Sequence, residues 1–363
     1  MKKIAIIIDN ISNKAGTERA VTNLCNGLKK FFPKEYDIYI ISLLSNSKDY
    51  AFFDLDTSIK LIHLEKRNNF NILSKIFWYR SLITHLKNIN KDYSFDMLIG
   101  TTYIHNILLS FICKNTSTKT IGCEHVNFYY PPKWIQKIRP YFYKKLNSIV
   151  VLSEEEKTSF KNLSNTCVIP NSLPFESKLK STQNSKTIIA VGRLTNQKGY
   201  VDLIAVFEKI HSIYDDWKLN IFGEGEEETS LNTLIKDKNL TNFIKIHKST
   251  HNISEYYQES SIFAQTSYTE SFGLALLEAM NHGLAVISYN NEGAKKLIQP
   301  GINGLLVELY DKNEYEQKLI QLIENLNLRI ELANRAIEDT SIYKETNIIP
   351  LWNKHIHSII RKV

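Results

Sequence analysis

Two glutamates eight residues apart, Glu270 and Glu278, carry the densest chemistry in the chain, in Ala-Gln-Thr-Ser-Tyr-Thr-Glu-Ser-Phe-Gly-Leu-Ala-Leu-Leu-Glu-Ala-Met at 264–280. An apolar, strand-like run (Ser261 to Gln265) stops at a polar loop, and helix-forming residues begin near Phe272. The amides of Ser271, Phe272, Gly273 and Leu274 would then be unpaired donors at a helix N-terminus, which attracts phosphate. Gly273 lets the backbone approach a ligand closely. Glu270 would repel phosphate and suits a hydroxyl-rich group beside it. Glu278 lies in a helix carrying Leu274, Leu276, Leu277, Ala279 and Met280, where a carboxylate is costly without a partner. It could accept hydrogen bonds from a ribose diol. Two carboxylates beside a phosphate cradle point to a nucleotide-sugar. The same pair also fits a helix cap and a structural ion pair, and the spacing alone does not choose.

Other loops add cations and glycines. Val191-Gly192-Arg193-Leu194-Thr195-Asn196-Gln197-Lys198-Gly199 follows a strand and opens a helix. Arg193 offers bidentate geometry and Lys198 a mobile point charge, and both suit a diphosphate, although a solvated loop would read the same way. Ile221-Phe222-Gly223-Glu224-Gly225 ends another strand, and its lone G-x-G is weak by itself. Ala15-Gly16-Thr17 lies between strand and helix, where Thr17 would serve as an ordinary N-cap. Gly122-Cys123-Glu124-His125 ends a further strand, and a lone histidine there is compatible with a structural or a catalytic role.

The stretch Tyr268 to Met280 resembles the E-x7-E segment of family 4 retaining glycosyltransferases. That resemblance covers nearly the whole chain, most strongly 187–308. It implies the α/β GT-B fold: two Rossmann-like doubly wound domains facing across a cleft, with the C-terminal helix crossing back to the first domain. It implies a catalytic set of Glu270, His125, Arg193 and Lys198, with His125 beside the transferred sugar. It implies a donor site of Gly16, Thr17, Gly223, Ser271, Phe272, Gly273, Leu274 and Glu278. Ala15 stands where the family usually has a second glycine, which leaves that loop's geometry open. No enzyme nucleophile is placed for a covalent intermediate, and the implied reaction is a front-face transfer with retained configuration. The expected donor is a UDP-sugar, with GDP-mannose as the other candidate.

The elements that would position these residues alternate along the chain. Strands are predicted at Ile4–Ile8, Tyr36–Ser42, Ile59–His63, Met97–Gly100, Lys119–Cys123 and Ser148–Leu152, then at Thr187–Val191, Lys218–Phe222, Phe243–His247, Ser261–Gln265, Ala285–Tyr289 and Gly304–Glu308. Helices fill the intervals, including Trp134–Leu146, Phe272–His282 and two in the tail, Leu328–Thr340 and Ile348–Arg361. Such alternation means parallel sheets covered on both faces. A linker with two prolines is expected at about 170–186, giving domains at 1–172 (with 345–363 returning) and 173–344.

At 363 residues two domains are the natural prior. Residues 1–173 hold 24 Lys and Arg against 14 Asp and Glu, and the remainder 21 against 24, so the net charge of +7 sits in the first half. Tyr129 to Lys145 has five basic residues, six aromatics and no acid. Lys133, Trp134, Lys137, Arg139, Lys144 and Lys145 are therefore expected on a membrane- or acceptor-facing surface, where aromatics sit at headgroup level and cations meet anionic lipid. A solvated helix packing its aromatics inward, or stacking on nucleic acid bases, are the rival readings. Lys66 to Arg80 is a second such stretch.

Four scattered cysteines, Cys25, Cys113, Cys123 and Cys167, read as reduced thiols. The apolar start ends at Asp9, which reads as a first buried strand and not a leader. Asp54-Leu55-Asp56 has the form of a D-x-D metal motif but lies apart from every other motif, so no metal and no cofactor are expected. Expected partners are the nucleotide-sugar donor, a glycan or polyprenyl-linked acceptor and the inner-membrane surface, with no nucleic acid. The expected location is the cytoplasmic membrane face. A nucleotide-sugar epimerase and a non-enzymatic nucleic-acid binder are the alternatives.

Overall fold

The computed structural model describes residues 1–65, 72–113, 116–173 and 180–361, with backbone alone for 72–76. The basic stretch Lys66 to Arg80 therefore lies partly outside the described residues, as does the expected linker from 174 to 179. The chain forms two compact units: Met1–Ser172 with Glu345–Val363, and Leu173–Lys344.

The first unit runs β1 (Lys2–Ile8), α1 (Gly16–Phe31), β2 (Tyr36–Ser42), β3 (Lys60–His63), α2 (Ile72–Tyr93), β4 (Met97–Gly100), α3 (Tyr103–Ile112), β5 (Lys119–Cys123), α4 (Lys133–Tyr143), β6 (Ser148–Val151), α5 (Glu154–Ser159) and β7 (Thr166–Val168). All pairings are parallel, in the order β3-β2-β1-β4-β5-β6-β7. Strand β1 is apolar on both faces because helices cover both: Ile4, Ile6 and Ile8 pack in one core cluster, Ala5 and Ile7 in the other. Ile348, Ile349, Trp352, Ile356 and Ile359 complete the first of these clusters.

The second unit runs β8 (Thr187–Val191), α6 (Tyr200–His211), β9 (Lys218–Phe222), α7 (Glu228–Asp237), β10 (Ile244–His247), α8 (Ile253–Gln258), β11 (Ile262–Gln265), α9 (Leu274–Asn281), β12 (Ala285–Tyr289), α10 (Ala294–Leu297), β13 (Leu305–Val307), α11 (Lys312–Glu324) and α12 (Leu326–Thr340). Its sheet is parallel in the order β10-β9-β8-β11-β12-β13. Helix α13 (Glu345–Ile360) then rejoins the first unit.

Each sheet order reverses once, between β1 and β4 in the first unit and between β8 and β11 in the second. In each unit that reversal marks a switch point at the carboxyl ends of its own strands, where open α/β sheets take their ligands.

Several sequence expectations are corrected here. Strand β7 was not anticipated. Helix α4 ends at Tyr143 rather than Leu146, three residues after Pro140, whose ring removes a backbone donor. Helix α9 starts at Leu274 rather than Phe272. Helix α13 runs from Glu345 through Pro350, starting three residues earlier than expected. Thr17 is not an N-cap: α1 opens at Gly16 behind Ala15, which offers no capping side chain. Ser153 does cap α5, accepting from the Glu156 amide at 3.2 Å, while Glu156 Oε2 accepts from the Leu152 amide at 3.0 Å.

Candidate active site

In the second unit, the loops after β8 and β11 meet at the switch point, and a set of polar contacts clamps them together. The Tyr268 amide donates to the Gln197 carbonyl at 2.9 Å, Gln197 Nε2 to the Thr269 carbonyl at 2.8 Å, and Thr266 Oγ1 to the Lys198 carbonyl at 3.1 Å. This clamp brings Lys198 and Glu270, 72 positions apart, into a direct ion pair. Both side chains are largely sheltered, 17% and 13% exposed. Ser267 Oγ donates to the same Glu270 Oε1 at 3.0 Å.

Beside that pair, no acceptor among the described residues is bonded to the amides of Ser271, Phe272, Gly273 or Leu274. Gly273 has φ +84°, a left-handed conformation that turns the chain into α9 and that side chains disfavour. The Phe272 ring is buried and meets Tyr343 edge-on, which anchors the turn from below. Four amides without an acceptor among the described residues therefore lie in the same loop as the carboxylate and its lysine partner. Arg193 lies two residues beyond β8 and is exposed. Gly223 is required by close approach: a β-carbon there would fall 1.9 Å from the Gly192 carbonyl oxygen, so the β9 turn can pack on the β8 turn only without a side chain.

Glu278 is buried inside α9, with Tyr257 Oη donating to its Oε2 at 3.4 Å. Two residues of this region escaped the sequence reading. Asn291 Nδ2 donates to the Ser267 carbonyl at 2.9 Å while its Oδ1 accepts from the Gly293 and Ala294 amides, tying the turn after β12 to the Glu270 loop. Lys296 Nζ donates to the Ser271 carbonyl at 2.5 Å, adding a cation beside the cradle. The Asn-Asn-Glu-Gly turn just after a predicted strand was the available signal.

In the first unit, Gly16 and Thr17 open α1, and among the described residues their amides have no acceptor. His125 follows β5 and lines a cavity of about 20 Å³ with Thr101, Asn171 and Ser172, room for about one water. Its Nδ1 is shielded and has no partner among the described residues. Burial pushes its pKa down to about 4, so the ring is neutral near pH 7.

Arg139 is not a surface residue. It is fully buried, its Nη1 3.3 Å from Glu124 Oε2, its Nη2 donating to the Phe128 carbonyl at 2.6 Å, and its guanidinium stacked over Phe128 and Phe160. Glu124 also accepts from Tyr143 and from Asn106 Nδ2, so the four form one interior network. Burial raises the Glu124 pKa, opposed by Arg139. Lys133, Trp134, Lys137, Lys144 and Lys145 are exposed, as are Ile138 and Tyr141.

Asp54-Leu55-Asp56 builds a turn: Asp56 Oδ1 accepts from the Ser58 amide and hydroxyl, and the Asp54 carbonyl accepts from Asn26. Among the described residues no three His, Cys, Asp or Glu side chains group as metal ligands, and no helix is long and apolar enough to cross a membrane.

A family model for "Glycosyl transferases group 1" matches residues 174–339, the segment that contains the Lys198–Glu270 pair. An uncharacterized glycosyltransferase of Haemophilus influenzae is 31% identical over 97% of this chain and 99% of its own length. The chain is a group 1 glycosyltransferase. AmsD of Erwinia amylovora, an amylovoran biosynthesis glycosyltransferase, is 30% identical over the same shares. An α-1,4-N-acetyl-D-galactosaminyltransferase of Campylobacter jejuni, named for a diNAcBac-PP-undecaprenol-linked substrate, is 26% identical over 99% of both chains. Among solved structures, S. aureus TarM in complex with UDP superposes on this glycosyltransferase with TM-score 0.80 at 17% identity, covering 100% of both chains. Anabaena HepE with UDP and glucose gives TM-score 0.77 at 16% identity. These likenesses carry the fold, which is that of GT-B enzymes.

Proposed function

We propose that this glycosyltransferase moves a sugar from a UDP-sugar to a hydroxyl of a lipid-linked glycan during surface-polysaccharide assembly, with retained anomeric configuration and without a metal ion. The observation that carries the reading is the Lys198–Glu270 pair set beside four unpaired amides at the switch point of the second unit. Lys198 and Arg193 would receive the diphosphate, and the Ser271–Leu274 amides would share its charge. Glu270, released from Lys198, would hold hydroxyls of the transferred sugar. Charge growing on the departing diphosphate is met by groups already in place, which is what lowers the barrier in such sites. The departing phosphate oxygen would take the proton of the attacking hydroxyl on the same face. His125, neutral near pH 7, would serve as a hydrogen-bonding group beside the sugar rather than as a charge.

The UDP donor is supported by the UDP-bound TarM and HepE neighbours, and the lipid-linked acceptor by the Campylobacter relative's substrate. Peripheral attachment at the cytoplasmic membrane face is supported by α4. Trp134, Lys137, Ile138 and Tyr141 recur at helical spacing on one exposed stripe, and Lys144 and Lys145 follow.

The test is a panel of UDP- and GDP-sugars with purified protein, read by nucleotide release, with and without EDTA. UDP release that depends on added glycan, produces the retained anomer and survives EDTA is expected. Conversion of the donor without an acceptor would point to an epimerase, and abolition by EDTA would overturn the metal-free reading. Liposome sedimentation unaffected by anionic lipid would overturn the membrane attachment.

A further inference from the structure

The switch point of the first unit carries its own charged group. Asp9 follows β1 and Thr101 follows β4, the two strands between which the order reverses. His105, fully buried on α3, bridges them: its Nε2 lies 2.9 Å from Asp9 Oδ1 and its Nδ1 3.1 Å from Thr101 Oγ1. Thr101 Oγ1 donates its proton to the Ile7 carbonyl at 2.8 Å. Nε2, facing the carboxylate, is the nitrogen placed to donate to Asp9. The arrangement is a buried imidazole ring holding an aspartate.

The Asp9 side chain is 51% exposed, and among the described residues its Oδ2 has no partner. Its carboxyl is held below the ordinary range: burial pushes it up, and His105 more than offsets that. Burial raises the phenols of half-buried Tyr79 on α2 and Tyr103 on α3, and Asp9's charge adds to both, next after burial for Tyr79 and behind Tyr130 and Tyr79 for Tyr103. An anchored carboxylate with one oxygen facing out, flanked by tyrosines, is poor at holding phosphate. It is suited to hydroxyls, which donate to the carboxylate while an aromatic face covers the ring's apolar side.

We infer that Asp9 is the residue that receives the hydroxyls of the acceptor sugar, and that His105 is the positioning residue that fixes its free oxygen toward the ligand. This rests on the transferase reading and names the acceptor subsite that reading leaves open. In a unit of net positive charge, this carboxylate favours the neutral sugar over any phosphate of the acceptor.

The experiment uses the full chain and a panel of octyl glycosides of glucose, galactose, N-acetylglucosamine and N-acetylgalactosamine. Saturation-transfer NMR detects binding, and turnover with the UDP-sugar found active gives KM and kcat. Asp9→Asn should raise the acceptor KM at least tenfold, leave kcat within threefold and leave UDP affinity within twofold. His105→Gln, which keeps a donor at the Nε2 position, should bind acceptor better than His105→Ala. An acceptor KM within twofold of wild type in Asp9→Asn overturns the inference. So does a wild-type chain that binds UDP yet shows no transfer to any glycoside of the panel. A wild-type chain that binds no UDP would instead sink the donor reading, a separate outcome.

Discussion

Glu270→Gln should make UDP bind more tightly while nearly stopping transfer, and the reason is the partner that Glu270 has before any donor arrives. Lys198 rests on Glu270, with both side chains less than one-fifth exposed. On the proposed reading, diphosphate would draw Lys198 away and then sit beside the carboxylate left behind. A hydrogen bond to a charged group contributes about 1.5–3 kcal/mol, with charge on both partners at the upper end and charge on Lys198 alone at the lower end. The amide therefore lowers the cost of releasing Lys198 by about 1–1.5 kcal/mol. That is about 5- to 12-fold in UDP affinity, measurable by titration calorimetry. Transfer should fall at least about 100-fold, because the amide cannot hold sugar hydroxyls as a carboxylate does as the bond breaks. Equal or weaker UDP binding in a folded Glu270→Gln protein would refute the idea that this pair must open for the donor.

Other outcomes follow from the same geometry. Arg193→Ala should weaken UDP binding by about 1.5–3 kcal/mol with unchanged thermal unfolding, since the side chain is exposed and, on the proposed reading, would serve only the ligand. Arg139→Met should cost about 3–5 kcal/mol in urea unfolding, because it strands the buried Glu124 carboxylate, while liposome binding by the folded fraction stays unchanged. His125→Gln should flatten the loss of stability in acid. The folded ring has its pKa pushed down to about 4 against about 6.5 unfolded, so its contribution is full above pH 6.5 and is lost as pH falls toward 4. At pH 5 the wild type loses about 2 kcal/mol through this group relative to pH 7, and the variant should not.

The two parallel sheets were legible because their strands are apolar on both faces, as in Lys-Lys-Ile-Ala-Ile-Ile-Ile, and because helix-forming intervals separate them. Strand β7 was not: Thr166-Cys167-Val168 is three residues long, half-buried and at an edge, so it carries no pattern to read. Composition alone misled at Arg139. Counting cations placed it with Lys137, whereas spacing pairs it with buried Tyr143 one turn on and sets it off from exposed Trp134, Ile138 and Tyr141. The types and order of Lys198 and Glu270 could be read, but not their contact. That depends on β8 lying next to β11, a fact of sheet order that no local pattern contains. Asp9 illustrates the same limit, because its partner His105 is 96 positions away.

Helix α13 has a consequence for synthesis on the ribosome. The apolar face of α1 and β1 is covered by residues made only after the entire second unit has been translated. The first half emerges early yet must wait, with Ile349 and Trp352 still missing, while the second half can already collapse on itself. Nascent chains stalled before α13 should consequently be clients for chaperones that recognise oily surface, and the later-made unit should be the earlier one to gain protease resistance.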